Sequence, residues 1–181
     1  MAVLEFAVLR NDGREALKGL FCSTFSASEG RQEGELIGEL AAQLSVAMDD
    51  ADVIGFGALQ DQSLIGAIFF TRLWFHDDAL VYLLAPVAVS PAHQGSGVGK
   101  ALIQFALDAM TGRGASVAIT YGDPAFYAKV GFKPLSESVL KAPMKLSMPM
   151  GWLGQSLTGR PIEARQEQPR CVEAFRNPVY W

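Results

Sequence analysis

The spacing of apolar positions changes several times along the chain. Val3–Leu9 is apolar and β-branched over a short run and reads as a first strand. Asn11-Asp12-Gly13 is a turn signal. Asp12 stands where it would cap a helix carrying Ala16, Leu17, Leu20 and Phe21. After the small, polar stretch Ser23–Gly30, the residues Leu36, Ile37, Leu40, Ala41, Leu44 and Ala47 recur at helical spacing and predict a second amphipathic helix. Beyond Asp49-Asp50 the runs become short and strand-like. Val53–Gln60 and Ser63–Trp74 are separated only by Asp61-Gln62, a two-residue connection that predicts a hairpin. A turn at His76-Asp77-Asp78 leads into Leu80–Val89, apolar at nearly every position, as in a central strand covered on both faces. Pro86 cannot donate a ladder hydrogen bond, so that strand needs a bulge or a splayed edge there.

Gly97–Met110 reads as a helix with Val98, Ala101, Leu102, Phe105 and Leu107 on its apolar side, stopped by Gly112 and Gly114. Ser116–Thr120 is a short strand. Asp123-Pro124 supplies a cap and a first-turn proline for a short helix that Gly131 closes. In that helix Phe126 and Val130 are spaced to face the core together, which turns Tyr127 to another side. From Leu135 onward prolines and scattered charges interrupt any period. One or two strands with ordered connections are expected there.

Bulk properties narrow the function. The chain has 181 residues, half of them hydrophobic and 19% charged, enough apolar surface for one folded domain. A net charge of -4 offers no basic field for nucleic acid, so no nucleic-acid partner is expected. Cys22 and Cys171 form no framework or Cys/His cluster and are read as reduced thiols. With two histidines and no ligand spacing, no metal is expected. The N-terminus carries Glu5 and no basic start, and Ala79–Val89 is too short for a membrane span. A soluble, cytoplasmic protein with no membrane partner is the expectation.

The run Val89-Ser-Pro-Ala-His-Gln-Gly-Ser-Gly-Val-Gly-Lys100 joins a buried strand to a helix. Glycines let successive backbone amides turn toward one point, and the helix start adds its positive dipole end, which suits a phosphate or pyrophosphate. A Walker loop would need glycine at Gln94 and Ser or Thr at Ala101; a Rossmann fingerprint would need glycine at Lys100 and a later acid. Neither is present. What remains is Gln94-x-x-Gly97-x-Gly99 after a strand ending Val89-Ser90-Pro91, followed later by Phe126-Tyr127-Ala-Lys-Val-Gly131-Phe132.

These two motifs, in this order, resemble the GNAT superfamily of acetyl-CoA-dependent N-acetyltransferases, over Val3 to about Phe132. The resemblance implies an α/β (α+β) fold: a mixed, mostly antiparallel central sheet with a splayed strand pair, flanked by helices on both faces. Residues 1–181 would form a single acyltransferase domain. Its matched core would be 1–134, and 135–181 would supply the C-terminal part of the sheet and acceptor-side elements. Acetyl-CoA would be the co-substrate. The amides of Gln94, Gly95, Ser96, Gly97, Val98, Gly99 and Lys100 would hold its pyrophosphate, and Val87, Ala88 and Val89 its pantetheine arm. Tyr127 would serve the leaving thiolate. The acceptor would be a small-molecule or peptide amine, and a homodimer is left open. A module of the same fold that keeps acyl-CoA without turnover is the alternative. The general base stays open among Glu33, Glu35, His76, Asp77 and Asp78. His93 and Lys100 stand beside the loop, and Met144, Met148, Met150 and Trp152 could line an acceptor pocket or belong to the core.

Overall fold

The computed structural model describes residues 1–181. In chain order the elements are β1 (Leu4–Val8), α1 (Arg14–Glu29), α2 (Arg31–Ala47), β2 (Val53–Gln60), β3 (Ser63–Leu73), β4 (Val81–Val89), α3 (Val98–Gly112), β5 (Val117–Tyr121), α4 (Pro124–Ala128), β6 (Lys133–Pro134) and β7 (Trp152–Ser156). The strands order as β1-β2-β3-β4-β5-β7-β6, a mixed, mostly antiparallel sheet with one parallel pair, β4 with β5.

Local chemistry accounts for most boundaries. The β2–β3 connection is the expected hairpin. Asp61 and Gln62 both take left-handed φ, 49° and 68°, the backbone of a turn whose twist matches that of the strands it joins. Helix α1 begins differently from the sequence expectation. Gly13, not Asp12, occupies the cap position, and no side chain bonds there. Helix α1 also runs through the polar stretch to Glu29. Two of its hydroxyls are satisfied inside the helix: Ser23 Oγ donates to Leu20 O at 3.1 Å and Ser28 Oγ to Thr24 O at 3.4 Å. Gly30, at φ 97°, then turns the chain into α2.

Contacts divide the chain into two compact units, Met1–Phe70 with Pro86–Ala106, and Thr71–Ala85 with Leu107–Trp181. The first has an aromatic core. Phe21 lies 5.8 Å from Phe69, and Phe56 meets Phe70 and Phe105 edge-on at 5.9 and 6.2 Å. Phe21, Phe56, Phe69 and Phe70 are fully buried. In the second unit the C-terminal stretch supplies much of the core. Trp181 is 5% exposed and stacks 6.3 Å from Tyr121, and its indole N–H donates to Phe175 O at 2.8 Å. The Trp152 indole donates to Leu140 O at 3.0 Å. Buried indoles with a satisfied N–H fix the course of a proline-rich segment that has little regular structure of its own.

The same unit contains a strap. Trp74 and Arg170 exchange main-chain hydrogen bonds at 2.9 and 3.0 Å, and the Arg170 guanidinium sits 5.0 Å from the Trp74 ring centroid. Arg165 Nε reaches Asp77 Oδ2 at 2.8 Å, and its guanidinium lies 5.3 Å from the Phe75 ring centroid. No helix is long and apolar enough to cross a membrane.

Candidate active site

The central feature begins where β4 loses its partner. The register between β4 and β5 runs Val81↔Val117, Tyr82↔Ala118, Leu83↔Ile119 and Leu84↔Thr120 and stops there, while β4 continues to Val89. Two residues after Leu84 comes Pro86, which has no N–H to offer a ladder. The proline therefore stands in an unbroken strand at the point where parallel pairing ends, the splayed form of the two expected. Along this stretch Ala85, Val87 and Val89 are half-exposed while Pro86 and Ala88 are buried.

The loop that follows is tied down from behind. Ser90 N–H donates to Ile65 O at 2.8 Å, His93 N–H to Ser90 O at 2.8 Å, and Ser90 Oγ lies 2.9 Å from His93 Nδ1. The Gln94 side chain turns back and donates to Val89 O at 2.9 Å, a carbonyl that also takes Thr24 Oγ1 at 3.4 Å. Ser96 Oγ closes onto His93 O at 2.5 Å. In front the loop is open. Gly95 and Gly97 have φ of 74° and 85°, and a methyl group built on either would touch nothing within 4 Å. Glycine is needed here for its left-handed backbone and not to make room. After His93, the next amide that finds a main-chain acceptor is that of Ala101, which donates to Gly97 O at 3.0 Å. The amides ahead of it, at the start of α3, have no intrahelical partner, which is the general condition of a helix start. Gln94–Gly97 are exposed, Val98 is buried and Lys100 is exposed. Amides without a main-chain acceptor at the N-terminal end of a 15-residue helix are the elements of an anion cradle.

Tyr127 belongs to the other compact unit. Asp123 caps α4 as expected, accepting from Ala125 N–H at 3.0 Å, with Pro124 in the first turn. The orientation of the helix differs from the sequence reading. Tyr127 is the buried residue, 9% exposed, beside Val130, while Phe126 is half-exposed. The ring is held edge-on by Phe126 and Phe132, with centroids 5.0 and 5.7 Å away. It also presses on Gly122, where an added Cβ would lie 2.8 Å from Tyr127 Cε2, so only glycine admits the ring. Burial pushes the Tyr127 phenol up to about 12; the Thr120 side chain, hydrogen-bonding to it, pulls the other way, and the charge of Asp123 adds to the rise. Thr120, fully buried, also donates its hydroxyl to Leu84 O at 2.8 Å. Sequence reasoning passed over this residue. A threonine closing the apolar run Val117-Ala-Ile-Thr120 was the available signal, since a buried hydroxyl requires a partner.

Two of the candidate bases, Glu35 and Asp77, have side-chain partners of their own. Glu35 pairs with Arg31 at 2.8 Å on an exposed helix face, and Glu33 is half-buried on the same helix. Asp77 belongs to the strap. Partial desolvation raises its carboxyl, but the bonds from Arg165 and the Ala79 amide, with the guanidinium charge, outweigh that and leave it below its ordinary value. His76 is exposed and gives its amide to Glu167 at 3.0 Å. Trp152 is core, whereas Met148 and Met150 are exposed at 63% and 73%.

The family model of the acetyltransferase (GNAT) domain matches residues 41–134, from within α2 to β6, and so includes the parted strand, the glycine loop and α4. The chain belongs to the GNAT family. Among the relatives it matches is the uncharacterized N-acetyltransferase YjhQ of Escherichia coli K12, 34% identical over 104 residues that cover 54% of this chain and 58% of YjhQ. The chain thus spans a little over half the length of that relative. Two solved structures share its fold. The GNAT family N-acetyltransferase YhbS of Escherichia coli, in complex with CoA, gives a TM-score of 0.68 at 22% identity, covering 86% of this chain and 81% of that one. A GNAT family acetyltransferase of Brucella melitensis, in complex with acetyl-CoA, gives 0.68 at 23% identity over 96% and 98%.

Proposed function

We propose that this GNAT protein transfers an acetyl group from acetyl-CoA to a primary amine, by direct attack with both substrates bound. The observation that carries the reading is the Gln94–Lys100 loop, where Gly95 and Gly97 take left-handed backbone beside open space and the amides running into the helix start have no main-chain acceptor. The YhbS and Brucella structures hold CoA and acetyl-CoA on the same fold, which supports a CoA thioester as the substrate here.

Each element then has a physical task. The loop amides and the α3 start bind the pyrophosphate. The β4 main chain from Val87 to Val89, freed of its parallel partner, holds the pantetheine arm and offers an N–H to the thioester oxygen as negative charge develops there. Tyr127 meets the departing sulfur. A thiol titrates near ~8.5, so a phenol at about 12 keeps its proton at neutral pH and is a donor to thiolate.

The deciding experiment has two steps. Calorimetric titration with acetyl-CoA and CoA tests the cradle, and an amine panel assayed for released thiol tests turnover. Saturable binding with thiol release for at least one amine is expected. Binding with no release for any amine would point to an acyl-CoA-binding regulatory module, and absence of binding would end both readings.

A further inference from the structure

We propose that Met148 and Met150 form an apolar wall of the acceptor site and select a primary monoamine with an apolar body; this rests on the acetyl transfer and the role of Tyr127 given above. The turn that carries them is fixed by its main chain. Met148 N–H donates to the Tyr121 hydroxyl at 2.7 Å, Gly151 N–H to Met148 O at 2.9 Å, and Gly122 N–H to Gly151 O at 3.0 Å. Between the methionines, Pro149 has its φ set by its own ring. The fit at the glycines is close: a Cβ on Gly151 would lie 3.0 Å from Gly122 O and 3.3 Å from the Tyr121 ring. Gly122 is also the residue against which the Tyr127 ring packs. One residue therefore joins the methionine turn to the tyrosine assigned to the departing sulfur. With the turn held by its backbone, both thioether side chains are left in solvent. Exposed there, they forgo the stabilisation that burial would bring, and an unbranched thioether adapts its shape to an apolar ligand. Charge narrows the ligand further. From Ser138 to Gly151 the chain carries Lys141 and Lys145, both exposed, and no carboxylate. The carboxylate that adjoins Gly122, Asp123, accepts the Ala125 amide as the α4 cap. Such a wall repels a second ammonium and holds the acceptor by its apolar end.

The test is a series of n-alkylamines from ethylamine to hexylamine, with the triamine spermidine beside it, each assayed for thiol released from acetyl-CoA. In wild type, kcat/KM for the amine is expected to rise about two- to fourfold per methylene, with spermidine a poorer substrate than hexylamine. Met148→Gln combined with Met150→Gln keeps the side-chain length, removes the apolar character and should remove most of that rise. Met148→Leu combined with Met150→Leu should keep it. Both positions are exposed, so the variants should melt at the wild-type Tm. A second readout needs no turnover. With CoA bound and the methionine methyls 13C-labelled, the Met148 and Met150 resonances, assigned by their loss in the single Gln variants, shift as hexylamine is added. A flat series, a preference for spermidine, or an undiminished rise in the double Gln variant overturns the proposal. So do methyl resonances that ignore hexylamine, or that move with protein concentration instead, the mark of a second copy on this face. Acetyl-CoA binding without thiol release for any amine ends the acetyl-transfer reading and the proposal with it; the other outcomes leave that reading in place.

Discussion

Two residues hold opposite relations to their surroundings. A side chain at Gly97 would touch nothing, and glycine is required there for its backbone angle; the Tyr127 ring is enclosed by its neighbours and is required for one oxygen. Replacing Gly97 by valine forces a β-branched residue to φ 85°, a strain of roughly 1–3 kcal/mol that the loop relieves by turning its amides away. Affinity for CoA measured by calorimetry should fall about tenfold or more, with thermal stability nearly unchanged because the site is exposed. Tyr127→Phe should do the reverse, keeping CoA affinity and slowing turnover. It should also change the alkaline stability profile. The folded protein holds the phenol proton to about 12 while the unfolded chain releases it near ~10, so stability from this group is complete below pH ~10 and is lost as pH rises toward 12. Denaturant unfolding from pH 9 to 12 should show wild type losing about 2–3 kcal/mol more than Tyr127→Phe; equal losses would mean the phenol is not held as described.

At the scale of elements, the runs that repeat at their own period could be read directly. The α2 stripe, the Asp61-Gln62 hairpin and the Asp123-Pro124 start of α4 followed from periodicity and cap chemistry, which act over a few residues. The misreadings have a common cause. Asp12 lost the cap to Gly13, the Ser23–Glu29 stretch stayed helical through back-bonded hydroxyls, and Tyr127 rather than Phe126 turned inward. In each case the decision lay with partners in space or with a competing local bond, and not with the residue's own preference. The C-terminal stretch is the strongest instance. Trp181 fills a nest formed with Tyr121, Trp152 and Phe175, with ring centroids 5.9 to 6.3 Å away. Trp181→Ala should cost about 3–5 kcal/mol by chemical denaturation, and a loss under 1 kcal/mol would show that the stretch packs more loosely than described.

For the molecule as a whole, the sheet is the common frame. Strands β3 and β4 and helix α3 each contribute residues to both compact units, and the splayed strand enters the first of them at Pro86. Ligand binding to such a folded frame should appear as global stabilisation. Acetyl-CoA at about a hundredfold excess over its Kd should add roughly 2.7 kcal/mol and raise Tm by about 5–10 °C in differential scanning fluorimetry, and Gly97→Val should remove about half of that rise or more. An equal rise in the variant would place the binding energy elsewhere than in the loop.

By itself the sequence determined the loop: three glycines in a Gln-x-x-Gly-x-Gly frame, a proline that cannot pair, and a helix after them. Those are backbone properties, written in residue type and order, and they hold wherever the loop is placed. Only the tertiary structure decided the surroundings of Tyr127 and the partner of Thr120. A buried hydroxyl depends on which carbonyl comes within hydrogen-bonding reach of it. For Thr120 that carbonyl, 36 residues back at Leu84, is met only when the strands pair.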